Sequence, residues 1–149
     1  PNTDWCQFIT QSITSSTNSL ITPSLVAAII SVESGGDPNA RSSQGAIGLM
    51  QVMPSDPVDH DGNPLYFDCD GHSCFINRPT SAQLLDPAFN INYGVRLLSG
   101  MINYWGRDKN TPQEKIREGL KHYGPMNYEY KYADLVLAVQ ANNPTACSP

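Results

Sequence analysis

The residue in this sequence with the clearest chemical potential is Glu33, a carboxylate that shares a helix face with large apolar side chains. Four residues follow the i, i+3, i+4, i+7 spacing of one helical face: Val26, Ile29, Ile30 and Glu33. Burial on such a face disfavours the charged form of a carboxylate and raises its pKa. A raised pKa is what a general acid requires near neutral pH. Position alone fits equally a glutamate that tucks against the core at a helix end, so both interpretations stay open at this point.

A second group of polar residues lies in the stretch 54–79, which is rich in Pro, Gly, Asp and Asn. Its members are Asp56, Asp59, Asp61, Asn63, Asp68 and Asp70. They lack the ligand spacing and the terminal Glu of a calcium-binding EF-hand, whereas His60 and His72 with nearby acids leave zinc as a hypothesis. Because Asp and Asn are common in turns for local reasons, we predict a polar loop without a metal. An acid of this loop that faced Glu33 would be able to activate water.

The residues that follow Glu33 resemble the signature of the soluble lytic transglycosylases and goose-type lysozymes. The first matching run consists of Glu33-Ser34, then Pro38, Ala40 and Ser42, then the stretch 45–54 with its Gly48-Leu49-Met50-Gln51 core. Three later stretches are similar to further motifs of the family: 83–87 with 90–94, 120–125 with Tyr123, and Tyr132 with Val136-Leu137. Together they cover the chain from about residue 22 to residue 139.

The resemblance implies a mostly α, lysozyme-like domain with two lobes and a substrate groove. It also implies that Glu33 protonates the glycosidic oxygen between N-acetylmuramic acid and N-acetylglucosamine, and then acts as a base. In the transglycosylases that base removes the proton of the sugar's own 6-hydroxyl, which closes a 1,6-anhydro ring. One carboxylate then suffices where ordinary glycosidases use two. Six residues match positions that contact the substrate or lie near the catalytic glutamate in the family: Ser42, Met50, Gln51, Asn90, Tyr123 and Tyr132.

Three other functions remain compatible with these residues. They are a hydrolytic muramidase with the same fold, a glycan-binding module without activity, and a metal-dependent interaction domain that uses the acidic stretch 54–79. The sequence also departs from the family pattern, because the Asn that follows the tyrosine of the third motif is Gly124 here. One polar contact is therefore missing or comes from elsewhere, and His122 is a candidate for supplying it.

The helices that must position these residues are indicated by capping residues and helix breakers. Thr22-Pro23, Asp86-Pro87 and Thr111-Pro112 each place a capping side chain before a proline at the first helical position. The predicted helices cover residues 4–18, 23–34, 81–85, 87–105, 112–123 and 128–140. We expect residues 39–53 to form a loop followed by a short helix, and residues 54–79 to be largely irregular.

Composition limits the partners. The chain has 149 residues and a formal net charge of −5, so we expect one domain, residues 1–149 with a core at about 22–140, and no nucleic-acid partner. No apolar run approaches the roughly 20 residues needed to span a bilayer. The expected partners are peptidoglycan glycan strands, no cofactor is expected, and the chain is expected to be a monomer.

The four cysteines indicate the compartment. Cys6, Cys69, Cys74 and Cys147 allow three pairings, and the arrangement favours Cys6–Cys147 and Cys69–Cys74, with free thiols or a metal site as alternatives. Disulfides form outside the reducing cytoplasm. We therefore predict a periplasmic or secreted protein.

Overall fold

The computed structural model describes residues 5–16, 18–55, 60, 79–124 and 129–148. Within these residues the regular structure is helical, as predicted, and extended pairing is limited to isolated bridges. The helices are α1 (Cys6–Thr14), α2 (Pro23–Ser34), α3 (Ser81–Leu84), α4 (Pro87–Trp105), α5 (Pro112–Tyr123) and α6 (Lys131–Asn142).

Four helices start at the capping residues that the sequence indicates. The Thr22 hydroxyl accepts the Leu25 N–H at the start of α2, and Asp86 accepts two N–H groups at the start of α4. Thr80 and Thr111 each form a reciprocal capping box with the residue three positions later. Such caps satisfy N–H groups that have no partner within the helix, which is why these boundaries were predictable.

The predicted short helix within residues 39–53 is wrong, because this segment folds into turns joined by the bridges Arg41↔Ile47 and Ile47↔Val52. Gly45, Gly48 and Gln51 have φ values of 98°, 81° and 52°, which lie in the left-handed region and interrupt any helix. The first helix is also shorter than predicted. The Thr14 and Ser15 hydroxyls donate to backbone carbonyls of the preceding turn, and such bonds compete with helix continuation.

The helices share one buried hydrophobic cluster. The members contributed by the helices include Ile9, Val26, Ile29, Leu98, Ile102, Leu120 and Val136. α4 packs against α1 and α5, while α2 packs against α6. This arrangement brings the C-terminal end of α2 close to the start of α6 and the end of α5.

The predicted disulfide between Cys6 and Cys147 is present, with Cα atoms 5.1 Å apart and a sequence separation of 141 residues. It joins the first residue of α1 to the turn that follows α6. In the chain-entropy view, a loop of this length corresponds to roughly 4–5 kcal/mol of stabilisation. The predicted Cys69–Cys74 pair lies outside the described residues. Among the helices of the described ranges, none is long and apolar enough to cross a bilayer.

Candidate active site

The apolar face of α2 ends at Glu33, in the arrangement that the sequence predicts. Val26 and Ile29 are completely buried and Ile30 is 2% exposed, whereas Glu33 keeps part of its surface accessible. Gly35 ends the helix in a left-handed conformation two residues later. The carboxylate therefore lies where the buried face of the helix reaches the protein surface.

The nearest polar partner of the Glu33 carboxylate is a tyrosine from α6. The Tyr132 hydroxyl donates a hydrogen bond to Oε2 of Glu33 over 2.7 Å. Burial raises the pKa of Glu33 to about 7, and the hydrogen bond from Tyr132 offsets only part of that increase. A pKa in this range allows the carboxyl group to exist in either protonation state near neutral pH, as a group that both donates and accepts protons requires.

A second tyrosine, Tyr123 at the end of α5, connects the glutamate to the loop 41–53. Its hydroxyl donates to the backbone carbonyl of Met50 over 2.8 Å. Burial and the nearby charge of Glu33 raise the pKa of Tyr123 well above its ordinary value, and the pKa of Tyr132 is raised by the same two causes in the same order. Both phenols are therefore neutral hydrogen-bond donors beside Glu33 throughout the physiological pH range.

Asn90 of α4 holds the same loop from the opposite side. Its Nδ2 donates to the carbonyls of Ile47 and Leu84, each over 2.9 Å, and its Oδ1 accepts the Met50 N–H over 2.8 Å. The loop approaches α3 and α4 closely at Gly48, where an added Cβ would overlap the Asn90 side chain and lie 2.8 Å from the Leu84 carbonyl oxygen. The turns of this loop are thus held by a side chain about 40 residues away along the chain.

Met50 and Asn90, which the family resemblance associates with the substrate site, are both completely buried. The Met50 side chain lies against Gly94 of α4, and the polar atoms of the Asn90 side chain are bonded to backbone atoms of the loop and of Leu84. A substrate contact of either residue stays a prediction. Their contribution is to position the Met50 carbonyl, which in turn accepts from Tyr123.

Ser42 and Gln51 lie on the accessible side of the loop. The Ser42 hydroxyl is exposed and accepts the N–H groups of Gln44 and Ala46. Gln51 is partly buried, and its Nε2 donates to the carbonyls of Ala40 and Gly48 over 3.1 and 3.0 Å. These bonds fix the shape of the loop and leave both residues at the surface, so their substrate contacts remain a prediction.

The family described as "Transglycosylase SLT domain" matches residues 11–113 of this chain. The chain belongs to the SLT family. The match includes Glu33, the loop 41–53 and Asn90, and it ends before Tyr123 and Tyr132. The contacts of Tyr123 with Met50 and of Tyr132 with Glu33 are therefore seen in the structure and lie outside the family match.

Curated relatives carry the name "Endo-type membrane-bound lytic murein transglycosylase A". The protein of this name from Citrobacter koseri is 37% identical over 79 residues, which are 53% of this chain and 35% of the relative. The one from Salmonella paratyphi B is 39% identical over 83 residues, 56% of this chain and 37% of the relative. The aligned part of this SLT chain thus spans only about a third of the length of these relatives.

His122 does not take the place of the polar residue that is missing at Gly124 in this SLT chain. Its ring stacks on Trp105 with the ring centres 4.0 Å apart and the planes 7° from parallel. Its Nε2 lies 3.4 Å from Oε2 of Glu118. His122 therefore belongs to a charged cluster around Glu118, whereas its neighbour Tyr123 belongs to the Glu33 site.

Among the described residues, no three His, Cys, Asp or Glu side chains gather as a metal site would require. The acids of the loop 54–79 and His72 lie outside the described residues, so the predicted metal-free loop stays a prediction, and zinc binding and water activation stay its alternatives. Two features of the site were not predicted from the sequence. One is the Met50 carbonyl as the acceptor for Tyr123, which no sequence pattern indicates. The other is the packing of Gly124, which the departure from the family pattern could have indicated.

Proposed function

We propose that this SLT chain is a peptidoglycan lytic transglycosylase that cleaves the β-1,4 bond between N-acetylmuramic acid and N-acetylglucosamine. Glu33 is the general acid and base of this proposal. The observation that carries it is the single carboxylate at the end of α2, with its pKa raised to about 7 and a tyrosine hydroxyl 2.7 Å away. The SLT family match and the names of the curated relatives support the same activity.

In the first step, protonated Glu33 donates its proton to the glycosidic oxygen while the bond between that oxygen and C1 of the muramic acid residue breaks, which leaves positive charge on C1. Negative charge then develops on the Glu33 carboxylate, where the Tyr132 hydroxyl is already directed. A donor that is in place before the charge appears stabilises it without reorganisation. The partial burial of Glu33 keeps the proton available up to about pH 7.

In the second step, the Glu33 carboxylate removes the proton of the 6-hydroxyl on the same sugar, and the 6-oxygen bonds to C1. The products are a 1,6-anhydro-muramyl end and a glycan with a free 4-hydroxyl. Glu33 is protonated again, and neither water nor a cofactor is consumed. One carboxyl group that exchanges a single proton twice accounts for the whole reaction.

The loop residues Ser42, which is exposed, and Gln51, which is partly buried, are proposed to contact the glycan. Tyr123 and Tyr132 are proposed to contact it near the cleavage point. Residues 1–149 are proposed to form one domain that acts as a monomer outside the cytoplasm. The Cys6–Cys147 bond supports that location, because disulfides persist in oxidising compartments.

The test is mass spectrometry of the soluble products after the chain digests purified peptidoglycan. We expect anhydro-muropeptides from the unmodified chain and none from Glu33→Gln. Products with ordinary reducing ends would reject the transglycosylase in favour of a hydrolytic muramidase. Glycan binding without any cleavage by the unmodified chain would reject both enzymes in favour of a binding module.

A further inference from the structure

The end of α5 packs against the ring of Tyr132 at a position that has no side chain. Gly124 follows the last residue of α5, and its N–H donates to the Leu120 carbonyl over 2.9 Å. Its φ of −76° is accessible to any residue, so the backbone conformation does not require glycine. The available space requires glycine, because a Cβ added at this position would overlap the Tyr132 ring and lie 2.8 Å from its Cε2 atom. Non-bonded carbon atoms normally lie about 3.5–4 Å apart.

The Tyr132 ring has little freedom to move away from such a Cβ. Tyr132 is in the first turn of α6, where its neighbour Ala133 and, one turn later, Val136 are completely buried. At its other end the hydroxyl is bonded to Glu33. A displacement of the ring therefore breaks the bond to Glu33 or disturbs the packing of α6.

We propose that Gly124 is a positioning residue for the catalytic glutamate, because its missing side chain allows the Tyr132 ring to lie against the end of α5 with its hydroxyl on Glu33. This inference rests on the proposed function and deepens it. It also gives the departure from the family pattern a physical meaning. With Tyr132 in its present place there is no room for an Asn at position 124, so the chain has close packing where the family pattern has a polar side chain.

The consequence for Glu33 follows from the groups around it. The titratable groups that act on Glu33 within the described residues are Tyr132 from α6 and Tyr123 from α5, and both are neutral. Of these, Tyr132 donates the hydrogen bond that opposes the effect of burial on the Glu33 pKa. When Tyr132 is displaced, the pKa of Glu33 rises further, and the carboxylate formed in the first step loses its donor.

The variant that tests this is Gly124→Ala, and Gly106→Ala is its matched control. Gly106 also follows a helix and has a negative φ of −91°. A Cβ there would overlap the Ile102 carbonyl oxygen at 2.6 Å, away from Tyr132. Both variants introduce a comparable clash, but only one of them affects the tyrosine.

For Gly124→Ala we expect kcat to fall about tenfold, as the loss of one hydrogen bond to a charged group gives, with KM nearly unchanged. We also expect the alkaline limb of the pH–rate profile to move to higher pH. Gly106→Ala should keep the pH–rate profile of the unmodified chain, even if the substitution lowers its stability. Tyr132→Phe should show the same fall in kcat and the same shift of the pH profile as Gly124→Ala. The double variant with both substitutions should be no slower than Tyr132→Phe alone.

An unchanged rate and pH profile for Gly124→Ala, or a further loss when Gly124→Ala is added to Tyr132→Phe, would overturn the inference. An unmodified chain that is inactive on peptidoglycan would instead refute the proposed function. Titration of the Glu33 carboxyl carbon by NMR in the unmodified chain and in Gly124→Ala then still tests the positioning, since the midpoint must rise in the variant.

A stability measurement covers the case in which Gly124→Ala does not fold. In the background of Tyr132→Ala the ring is absent, so adding Gly124→Ala should not lower the unfolding midpoint. An equal loss of stability with and without the ring would show that Gly124 acts on something other than Tyr132.

Discussion

Two carboxylates of this chain, Glu33 and Glu118, have the same kind of hydrogen-bond donor but opposite net shifts of their pKa. The Tyr132 hydroxyl lies 2.7 Å from Glu33, and the Tyr130 hydroxyl lies 2.5 Å from Glu118. The pKa of Glu33 is nevertheless raised to about 7, whereas the pKa of Glu118 is lowered. A tyrosine partner alone therefore does not determine whether a carboxyl group keeps its proton.

The difference between the two pKa shifts comes from the surrounding charges. Burial raises the pKa of Glu118 too, but the Tyr130 hydrogen bond together with the charges of Lys121, Lys109 and His122 outweighs that increase. These three basic side chains lie 3.8, 3.8 and 3.4 Å from the carboxylate oxygens. They cover Glu118 at the protein surface, where its own exposure is 8%.

Burial acts on Glu33 as well, and the residue still keeps an accessible side. In the described part of the chain, the ion pairs that form do not include Glu33, and its polar neighbours are neutral phenols. Glu33 keeps its proton up to about pH 7 because burial acts on it without a compensating cation. This arrangement lowers the stability of the folded chain above that pH, and it provides a group that can donate a proton.

The largest expected difference between the two carboxylates is in activity. Glu33→Gln removes the group that transfers the proton, so we expect turnover of peptidoglycan to fall by on the order of 10²–10⁴. Glu118→Gln should keep turnover within about threefold, because Glu118 belongs to the cluster with His122 and Trp105. Release rates of soluble muropeptides measure both, and equal losses for the two variants would contradict the distinction.

The next effect is on stability as a function of pH. The pKa of Glu33 is raised from 4.5 to about 7 on folding, so its contribution to stability is complete below pH 4.5 and is lost as the pH rises through 7. The linkage relation gives a loss of roughly 3 kcal/mol across that interval. Urea unfolding at pH 5 and pH 8 should show this loss for the unmodified chain and a smaller one for Glu33→Gln. If the two proteins lost the same free energy between these pH values, Glu33 would not be the group responsible.

The smallest effect has the opposite sign and comes from Glu118. Its pKa is lowered on folding, so its contribution is present above its ordinary pKa and is lost as the pH falls through the folded value. Because the cluster is near the surface and screened by solvent, we expect Glu118→Gln to cost only about 1 kcal/mol at pH 7. The cost should shrink in 1 M salt. If 1 M salt left the loss of stability unchanged, Glu118 would stabilise the chain through packing rather than through its charge.

The position of Glu33 at the end of an apolar helix face was predictable from the sequence, whereas the whole Glu118 cluster was not. The helical spacing of Glu33 with its apolar neighbours is local information, and so are the caps at Thr22, Asp86 and Thr111. Lys121 and His122 lie three and four residues after Glu118 and are visible in the same way. Lys109 and Tyr130 reach Glu118 only through the folding of the chain.

The loop 41–53 shows the same limit. Its motif identified the family, but its conformation is held by Asn90 from about 40 residues away and by Tyr123 from 73 residues away. The motif indicates that Met50 and Asn90 belong to the site, and tertiary packing buries both side chains completely. A family pattern indicates which positions matter, whereas the burial of each one depends on contacts between distant parts of the chain.

The most direct measurement is an NMR titration of the carboxyl carbons of Glu33 and Glu118 in one sample of the unmodified chain, with Glu33→Gln and Glu118→Gln used to assign the two signals. We expect the Glu33 signal to titrate with a midpoint near 7 and the Glu118 signal to titrate below its ordinary value of 4.5. A Glu33 midpoint at or below 4.5 would mean that the carboxyl group carries no proton at neutral pH, and it would contradict the assignment of Glu33 as the acid.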